Sequence, residues 1–180
     1  MEHPFFFLSE SFSYPETDTF AEKSRVLVLL AHDLGLVVPA AEEISAIPFI
    51  DLQAEYVRLF INAADGVFAP PYASIYVNDA GILHQQGYDD ALSFYARAKM
   101  APAETTESPD HIAHELAFVG LLLDAENNKL LSSFLSGHLC VWYSGFLQRL
   151  QDAQANSFYS VLGQVTNLCL TYLQKEVVHE

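Results

Sequence analysis

Apolar residues recur at intervals of three and four along most of this chain, and this spacing constrains the fold more than any other feature. A helix gathers such positions on one face, which can then pack against neighbouring helices. The pattern is clearest near the end of the chain, at Phe158, Leu162, Val165, Cys169 and Leu173. No segment shows the alternation typical of a half-buried strand, so the sequence predicts an all-α protein, a single-domain helical bundle over residues 1–180.

Several residues predict where these helices begin and end. Thr19 and Glu22 have the spacing of a capping box, in which two side chains satisfy amides of the first helical turn. Gly35 suits the left-handed position just after a helix. The tripeptide 108–110, Ser-Pro-Asp, predicts a helix that starts at its serine, because these residue types favour the N-cap and first turn. Asn156 predicts the N-cap of the last helix.

One long interruption, residues 62–87, is predicted to be a functional loop, because it exceeds the usual length of a connection. Pro70 and Pro71 hold the backbone extended and present Tyr72 and Tyr76 from a stiff segment. Tyrosine combines an apolar ring with a polar hydroxyl, which suits a peptide-binding surface. The alternative is that these aromatic rings fill the core, and the residues alone favour neither.

Charge is distributed unevenly along the chain. The sequence has 23 acidic and 8 basic residues, a net charge of −15. Residues 1–127 hold 20 of the acids and five of the bases, so the whole excess lies in the first two-thirds. Such a field repels nucleic acid and anionic lipid and attracts basic partners, although acidity also serves solubility.

The sequence predicts neither export nor stable membrane insertion. No apolar run reaches the about 18–20 residues that a membrane span needs. Glu2 and the short apolar run 5–8 lack the pattern of a secretory signal. Cys140 and Cys169, the two cysteines, lie in apolar helical contexts and are predicted to be reduced core residues. We therefore expect a cytoplasmic protein.

A cluster of polar residues follows the second break in the pattern. Asp110, His111, His114 and Glu115 fall within two turns of a helix start. His111, His114 and Glu115 could ligate a metal with His138 as a distant further ligand, although the order HxxHE is wrong for a zinc motif. The cluster could also act as acid and base, grip an arginine of a partner through the carboxylates, or form a buried polar network.

Other chemical motifs are missing from the sequence. It contains no glycine-rich phosphate loop and no nucleophile elbow, so neither a cofactor nor a metal is predicted. His138 and Trp142 lie one turn apart on a helix predicted from Lys129 to Ala153. A core histidine packed on the sole tryptophan is the favoured interpretation of that pair.

Five segments together resemble the TorD/DmsD family of redox-enzyme maturation proteins. Glu55 to Phe60 is similar to the family's EYxxLF pattern, and Pro70 to Tyr76 to its PPYxSxY pattern. The others are residues 109–116 (PDHxxxEL), 138–142 (HLxxW) and the late 156–159 segment, in the family's order.

The resemblance implies a non-enzymatic helical chaperone. Its partner would be the twin-arginine signal peptide, and the precursor, of a molybdenum-cofactor oxidoreductase. The implied signal-peptide-binding residues form an apolar part and a polar end. They are Pro71, Tyr72, Ser74 and Tyr76, and then Pro109, Asp110, His111 and Glu115.

Alternative functions also fit the sequence. One is a nitrate-reductase-type assembly chaperone for a membrane-bound subunit that is not exported. Others are a metal-dependent helical hydrolase using His111, His114 and Glu115, and a purely structural interaction module. The oligomeric state, monomer or domain-swapped dimer, is left open by the residues.

Overall fold

The computed structural model describes residues 4–16, 19–62, 66–77, 86–101 and 107–178. The all-α bundle predicted from the apolar spacing is confirmed. The helices are α1 Pro4–Ser11, α2 Phe20–Asp33, α3 Ala41–Ser45, α4 Phe49–Tyr56, α5 Gln86–Arg97, α6 Ile112–Asp124, α7 Asn128–Phe134, α8 Cys140–Asp152 and α9 Ser157–Val178. Within these ranges, the one β-type pairing is an isolated antiparallel bridge between Tyr72 and His111.

Aromatic side chains join the two ends of the chain in the core. Phe12, which follows α1, meets Phe146 of α8 with ring centroids 5.8 Å apart. Phe60, which follows α4, meets Tyr159 of α9 edge-on at 5.3 Å. Edge-to-face pairs of this kind are stabilised beyond the area that they bury. They hold the segment after α1 in a fixed position against the rest of the bundle.

Two of the four predicted helix ends, at Gly35 and Asn156, have the expected geometry. Gly35 has a φ of +76° after α2, and its amide donates to the carbonyl of His32, as in a helix-terminating glycine motif. Asn156 accepts a hydrogen bond from the amide of Tyr159 at 3.1 Å before α9. Thr19 does precede α2, but its side chain makes no capping hydrogen bond, so the predicted capping box is wrong.

The predicted start of α6 is also wrong by several residues. The N-cap is His111, whose ring accepts a hydrogen bond from the Ala113 amide, and the helix begins at Ile112. The serine expected to cap the helix, Ser108, instead donates its hydroxyl to Asp110. The carboxylate of Asp110 is in turn bound to a distant loop residue, Ser74, so neither side chain is available to the helix.

A continuous helical run from Asn128 to Asp152 confirms the predicted long helix, with one irregularity. Residues Leu135–Leu139 form a π turn between α7 and α8, in which the Cys140 amide bonds to the Leu135 carbonyl five residues back. A π turn inserts one extra residue into a helix.

This run is the one described helix with the length and composition to cross a membrane, with a mean hydropathy of 1.2. Half of its most apolar stretch is buried inside the protein, as in a core helix of a soluble protein. It is therefore weak evidence for a membrane span.

Part of the predicted loop 62–87 has local structure. Residues Ala73–Ile75 form a 3-10 turn, and α5 begins at Gln86, one residue before the predicted end of the loop. Residues 63–65 and 78–85 of the loop lie outside the described residues. At Gly87 a Cβ would lie 2.5 Å from the Ser74 amide nitrogen, so α5 approaches the 3-10 turn more closely than any other residue type allows.

An ion pair ties the other end of this loop to the bundle. Glu55 and Arg58 make two hydrogen bonds, at 2.6 and 2.8 Å. The same carboxylate accepts the amide of Asn156 at 2.9 Å. The guanidinium of Arg58 also lies over the ring of Phe68, 5.1 Å from its centroid. Phe68 in the loop is thereby held near the connection between α8 and α9.

Candidate functional site

Asp110 fastens the proline-rich part of the loop to the start of α6. Its carboxylate is fully buried, and Oδ2 accepts the amide of Ser74 at 3.0 Å and the hydroxyl of Ser74 at 2.6 Å. Oδ1 accepts the hydroxyl of Ser108 at 2.5 Å. Hydrogen bonds to an ionised acceptor are among the stronger ones in proteins. Both oxygens of Asp110 therefore have partners inside the chain, and Ser74 is fully buried beside them.

The backbone carbonyls of Pro71 and Pro109, both among the predicted site residues, complete this junction. The Ile112 amide, at the first turn of α6, donates to the carbonyl of Pro71 at 2.8 Å. The hydroxyl of Tyr95, on α5, donates to the carbonyl of Pro109 at 2.7 Å. The loop, α5 and the start of α6 are thus held together as one unit.

Glu115 is the centre of a second buried network. Its two carboxylate oxygens accept from His138 Nε2 at 2.7 Å and from Trp142 Nε1 at 2.9 Å, and all three side chains are buried. Burial raises the pKa of Glu115, and the charge and hydrogen bond of His138 only partly offset this. Burial lowers the pKa of His138, but the charge and hydrogen bond of Glu115, together with the charges of Asp90 and Asp110, outweigh burial and raise that pKa above its ordinary value.

His138, the predicted core histidine, is linked to Trp142 by hydrogen bonds that both side chains make to Glu115. The His138 ring itself lies against Phe134, with centroids 5.4 Å apart, and against Phe94 at 5.9 Å. Glu115 supports the contact between α6 and the α7–α8 run, and in this arrangement its oxygens are already occupied.

Tyr76 packs onto α8. Its ring stacks on Trp142 at 5.7 Å, and the guanidinium of Arg149 lies 5.1 Å from the centroid of the Tyr76 ring. Its hydroxyl donates to the carbonyl of Pro70 at 2.8 Å. Tyr76 therefore closes the loop on itself and against the helix.

Tyr72 lies at the outer edge of the loop. Its hydroxyl donates to the carboxylate of Glu107 at 2.6 Å, and its ring meets His111 edge-on at 5.1 Å. Burial, followed by the bond to Glu107 and its charge, raises the pKa of Tyr72 above its ordinary value. The phenol is therefore a neutral donor to Glu107.

His111 is buried at the same edge, and only one of its ring nitrogens is bonded to a residue that the structure describes. Nδ1 accepts the amide of Ala113 at 3.2 Å, while Nε2 is buried and has no hydrogen-bond partner among the described residues. Burial lowers the pKa of His111 to about 4, against the opposing charge of Glu107. The ring is neutral near pH 7.

A cleft of about 450 Å³ opens beside His111. The walls come from the end of α1 and the segment after it, the start of α2, the end of α4, and the start of α6 with the segment before it. The lining residues are Glu10, Ser13, Tyr14, Pro15, Glu16, Lys23, Tyr56, Glu107, His111, Ala113 and His114. Glu10 forms an ion pair with Lys23 at 3.0 Å. Three carboxylates against one ammonium give this acidic cleft a preference for cations.

An apolar groove of about 190 Å³ adjoins the acidic cleft. His114 lines both, and the remaining walls of the groove include Met100, Ala117, Phe118 and Leu121. Leu121 is 43% exposed, which is high for a large apolar side chain. The surface of α6 therefore passes from an acidic region to an apolar one within about two turns.

The structure divides the predicted site residues into two groups. His111 lines the acidic cleft, and Tyr72 packs against the His111 ring. Ser74, Asp110 and Glu115 are instead buried side chains that support the loop and the helices. The role of all of them in peptide binding stays a prediction.

Sequence reasoning missed the acidic wall of the cleft. Glu10 and Glu16 lie near the start of the chain with Phe12 and Tyr14 between them, and Glu107 lies just before α6. The acidic excess of the first two-thirds was the one signal that pointed in their direction.

The geometry does not support the metal-dependent hydrolase. Glu115 is buried with His138 and Trp142, whereas His111 and His114 belong to the wall of the cleft. Within the described ranges, no three His, Cys, Asp or Glu side chains are grouped as the ligands of a metal would be.

Comparison with protein families gives a match over residues 27–148 to the model described as nitrate reductase delta subunit. That match covers more than half of the chain. The protein belongs to this family. The resemblance to TorD-type proteins seen in its motifs is thereby confirmed.

Curated relatives of this chain carry the name chaperone protein TorD. That of Aliivibrio fischeri is 28% identical over 140 residues, covering 71% of this chain and 63% of the relative. That of Shewanella pealeana is 26% identical over 125 residues, covering 65% of this chain and 56% of the relative. The chain thus matches about three-fifths of the length of these relatives. Their description as chaperones agrees with the prediction of a non-enzymatic protein.

A solved structure shares the fold of this family member. It is that of a proposed redox enzyme maturation protein from Archaeoglobus fulgidus, with a TM-score of 0.62 and 24% sequence identity. The alignment covers 100% of this chain and 94% of the other. At this level of identity the likeness supports the helical fold alone.

Proposed function

We propose that this protein is a cytoplasmic chaperone that binds the twin-arginine signal peptide of a molybdenum-cofactor oxidoreductase precursor and assists its maturation before export. The proposal is carried by the acidic cleft and the apolar groove, which share His114. A twin-arginine signal has the same order of chemistry, a pair of arginines followed by an apolar stretch. The relatives named chaperone protein TorD add support.

The acidic cleft is the part that suits the arginine pair. Glu10, Glu16 and Glu107 offer carboxylates, which bind guanidinium groups through paired hydrogen bonds. Tyr14, which is 42% exposed at the cleft wall, offers a ring on which a guanidinium can stack. The net charge of −15 adds long-range attraction for a basic peptide and disfavours nucleic acid.

The apolar groove suits the stretch that follows the arginines. Met100, Ala117 and Leu121 present aliphatic side chains, and an apolar segment laid on them would be removed from water. This arrangement needs no cofactor.

A titration with a labelled twin-arginine signal peptide tests the proposal. We expect saturable binding that weakens with added salt and with replacement of both peptide arginines by alanine. Glu107→Gln should weaken binding roughly two- to fivefold, the effect of one exposed ion pair. Glu43→Gln, an exposed change on α3 outside the cleft lining, serves as the matched control. Equal binding of the arginine and alanine peptides would contradict the proposal.

The family description favours one second candidate, an assembly chaperone for a membrane-bound nitrate-reductase subunit that is not exported. Such a protein would not require a twin-arginine signal. Affinity purification of the tagged chain from its own cells separates the two, because the client retained would carry a twin-arginine signal in one case and lack it in the other.

A further inference from the structure

His111 caps α6 through Nδ1, and this contact determines which of its two ring nitrogens carries the proton. Nδ1 accepts the Ala113 amide, so Nδ1 is unprotonated and the proton of the neutral ring is on Nε2. A buried N–H group without an acceptor carries a desolvation penalty. Nε2 is such a group, since it is buried and unpartnered among the described residues of the chain.

The surroundings of His111 select the kind of acceptor that would bind Nε2–H. Glu107 and Asp110 both lie close enough to affect the ring electrostatically, and Glu10 and Glu16 line the same cleft. An anionic acceptor would be repelled by these carboxylates. A neutral carbonyl oxygen would not, and every residue of an extended peptide offers one.

We infer that His111 donates its Nε2–H to a main-chain carbonyl of the bound signal peptide, next to the arginine pair. This inference rests on the proposed function. It gives His111 a role that does not depend on the peptide's side chains, whereas the carboxylates of the cleft select the arginines. The two kinds of contact together would select a cation attached to an extended peptide, and not a free cation.

Tyr72 controls access to this donor. His111 is only 1% exposed, and the ring of Tyr72 packs edge-on against it. The Tyr72 hydroxyl is held by Glu107, which lines the acidic cleft. A peptide arginine that binds Glu107 competes with that hydroxyl, and movement of the tyrosine ring then uncovers Nε2.

Two variants separate the donor from the helix cap. His111→Phe keeps a ring of similar shape and removes both nitrogens. His111→Asn keeps a capping side chain, but its shorter amide does not reach the position of Nε2. We expect both to bind the signal peptide roughly tenfold more weakly than the natural protein, as for loss of one buried hydrogen bond. His32→Asn, an exposed change on α2, is the control.

Peptides that carry a single backbone ester in place of an amide identify the contact, because an ester carbonyl is a weaker acceptor. One ester near the arginine pair should reduce the affinity of the natural protein and leave that of His111→Phe unaffected. ¹⁵N spectra of histidine-labelled protein should show the proton on Nε2. If the natural protein binds the peptide and both variants bind it equally well, the inference is wrong and the proposed function stands. If the natural protein binds no such peptide, both fail.

Discussion

One carboxylate oxygen of Asp110 accepts both the backbone amide and the side-chain hydroxyl of Ser74, and both residues are fully buried. This double contact joins the loop to the start of α6 across 36 positions of sequence. Its removal should therefore loosen the loop and the acidic cleft together.

Asp110→Asn should lower the free energy of unfolding by about 2 kcal/mol. The amide NH2 group of asparagine would face a hydrogen-bond donor, of Ser74 or Ser108, in place of the carboxylate oxygen that accepts from it in the natural protein. Urea unfolding followed by the fluorescence of the single tryptophan, Trp142, measures the change. Asp33→Asn, an exposed change at the end of α2, should stay within about 0.5 kcal/mol. Equal urea midpoints for the natural protein and Asp110→Asn would contradict the support role of this carboxylate.

Gly87→Ala and Gly137→Ala should have opposite effects on stability. A Cβ at Gly87 would lie 2.5 Å from the Ser74 amide nitrogen, and such overpacking costs about 1–3 kcal/mol. A Cβ at Gly137 meets nothing within 4 Å, and the change removes backbone freedom from a helical position, worth up to about 1 kcal/mol. Thermal unfolding of the two variants in parallel measures both signs. A neutral Gly87→Ala would show that α5 and the 3-10 turn separate easily.

His138 should make the protein less stable as the pH rises above neutrality. Its pKa is raised in the folded chain above the ordinary histidine value of 6.5. The stabilisation is therefore complete below about pH 6.5 and is lost as the pH rises through the higher folded pKa, with a slope of at most about 1.4 kcal/mol per pH unit. Urea unfolding between pH 6 and 9 should show this slope in the natural protein and its absence in His138→Gln.

His111 should have the opposite effect on stability and should make the protein less stable as the pH falls below neutrality. Its pKa is lowered from 6.5 to about 4 in the folded chain, so between these values the unfolded chain binds a proton that the folded chain does not. Stability should fall as the pH drops from about 6.5 towards 4. His111→Asn should flatten this part of the profile while leaving the alkaline slope of His138 in place. An unchanged acid slope would mean that other groups cause it.

Tyr72→Phe should leave stability within about 1 kcal/mol of the natural value, because it removes one partly exposed hydrogen bond to Glu107 and keeps the ring against His111. Tyr72→Ala should bind the peptide more tightly than Tyr72→Phe, because it also removes the ring that packs against His111 and must move before Nε2 can bind the peptide. Peptide titration of both variants, with circular dichroism to verify folding, gives the comparison. Equal affinities for the two would exclude a role for the ring.

The fold could be predicted from the sequence because helical periodicity is a local property. The start of α6 could not, since the side chain of Asp110 is taken by a loop residue far away in sequence. A buried polar network that includes Glu115 was among the alternatives, but its partners His138 and Trp142 could not be predicted, because they come from another helix.

The acidic cleft could not be predicted either. Glu10 and Glu107 are brought to one cleft by tertiary packing, and no spacing in the sequence links them. The donor state of His111 likewise depends on which of its nitrogens caps the helix.

The π turn at Leu135–Leu139 limits how the gene can change. A π turn accommodates one extra residue in a widened turn, so the helix after it keeps the rotation that it would have without that residue. Loss of a single codon in this stretch would therefore restore a regular helix and leave α8 in its present rotation relative to α7. Insertion of a codon would instead rotate α8 by about 100°, which would turn Trp142 away from Glu115 or the apolar face of α7 away from the core. In-frame deletions of one codon should thus be tolerated in this stretch more often than insertions of one codon.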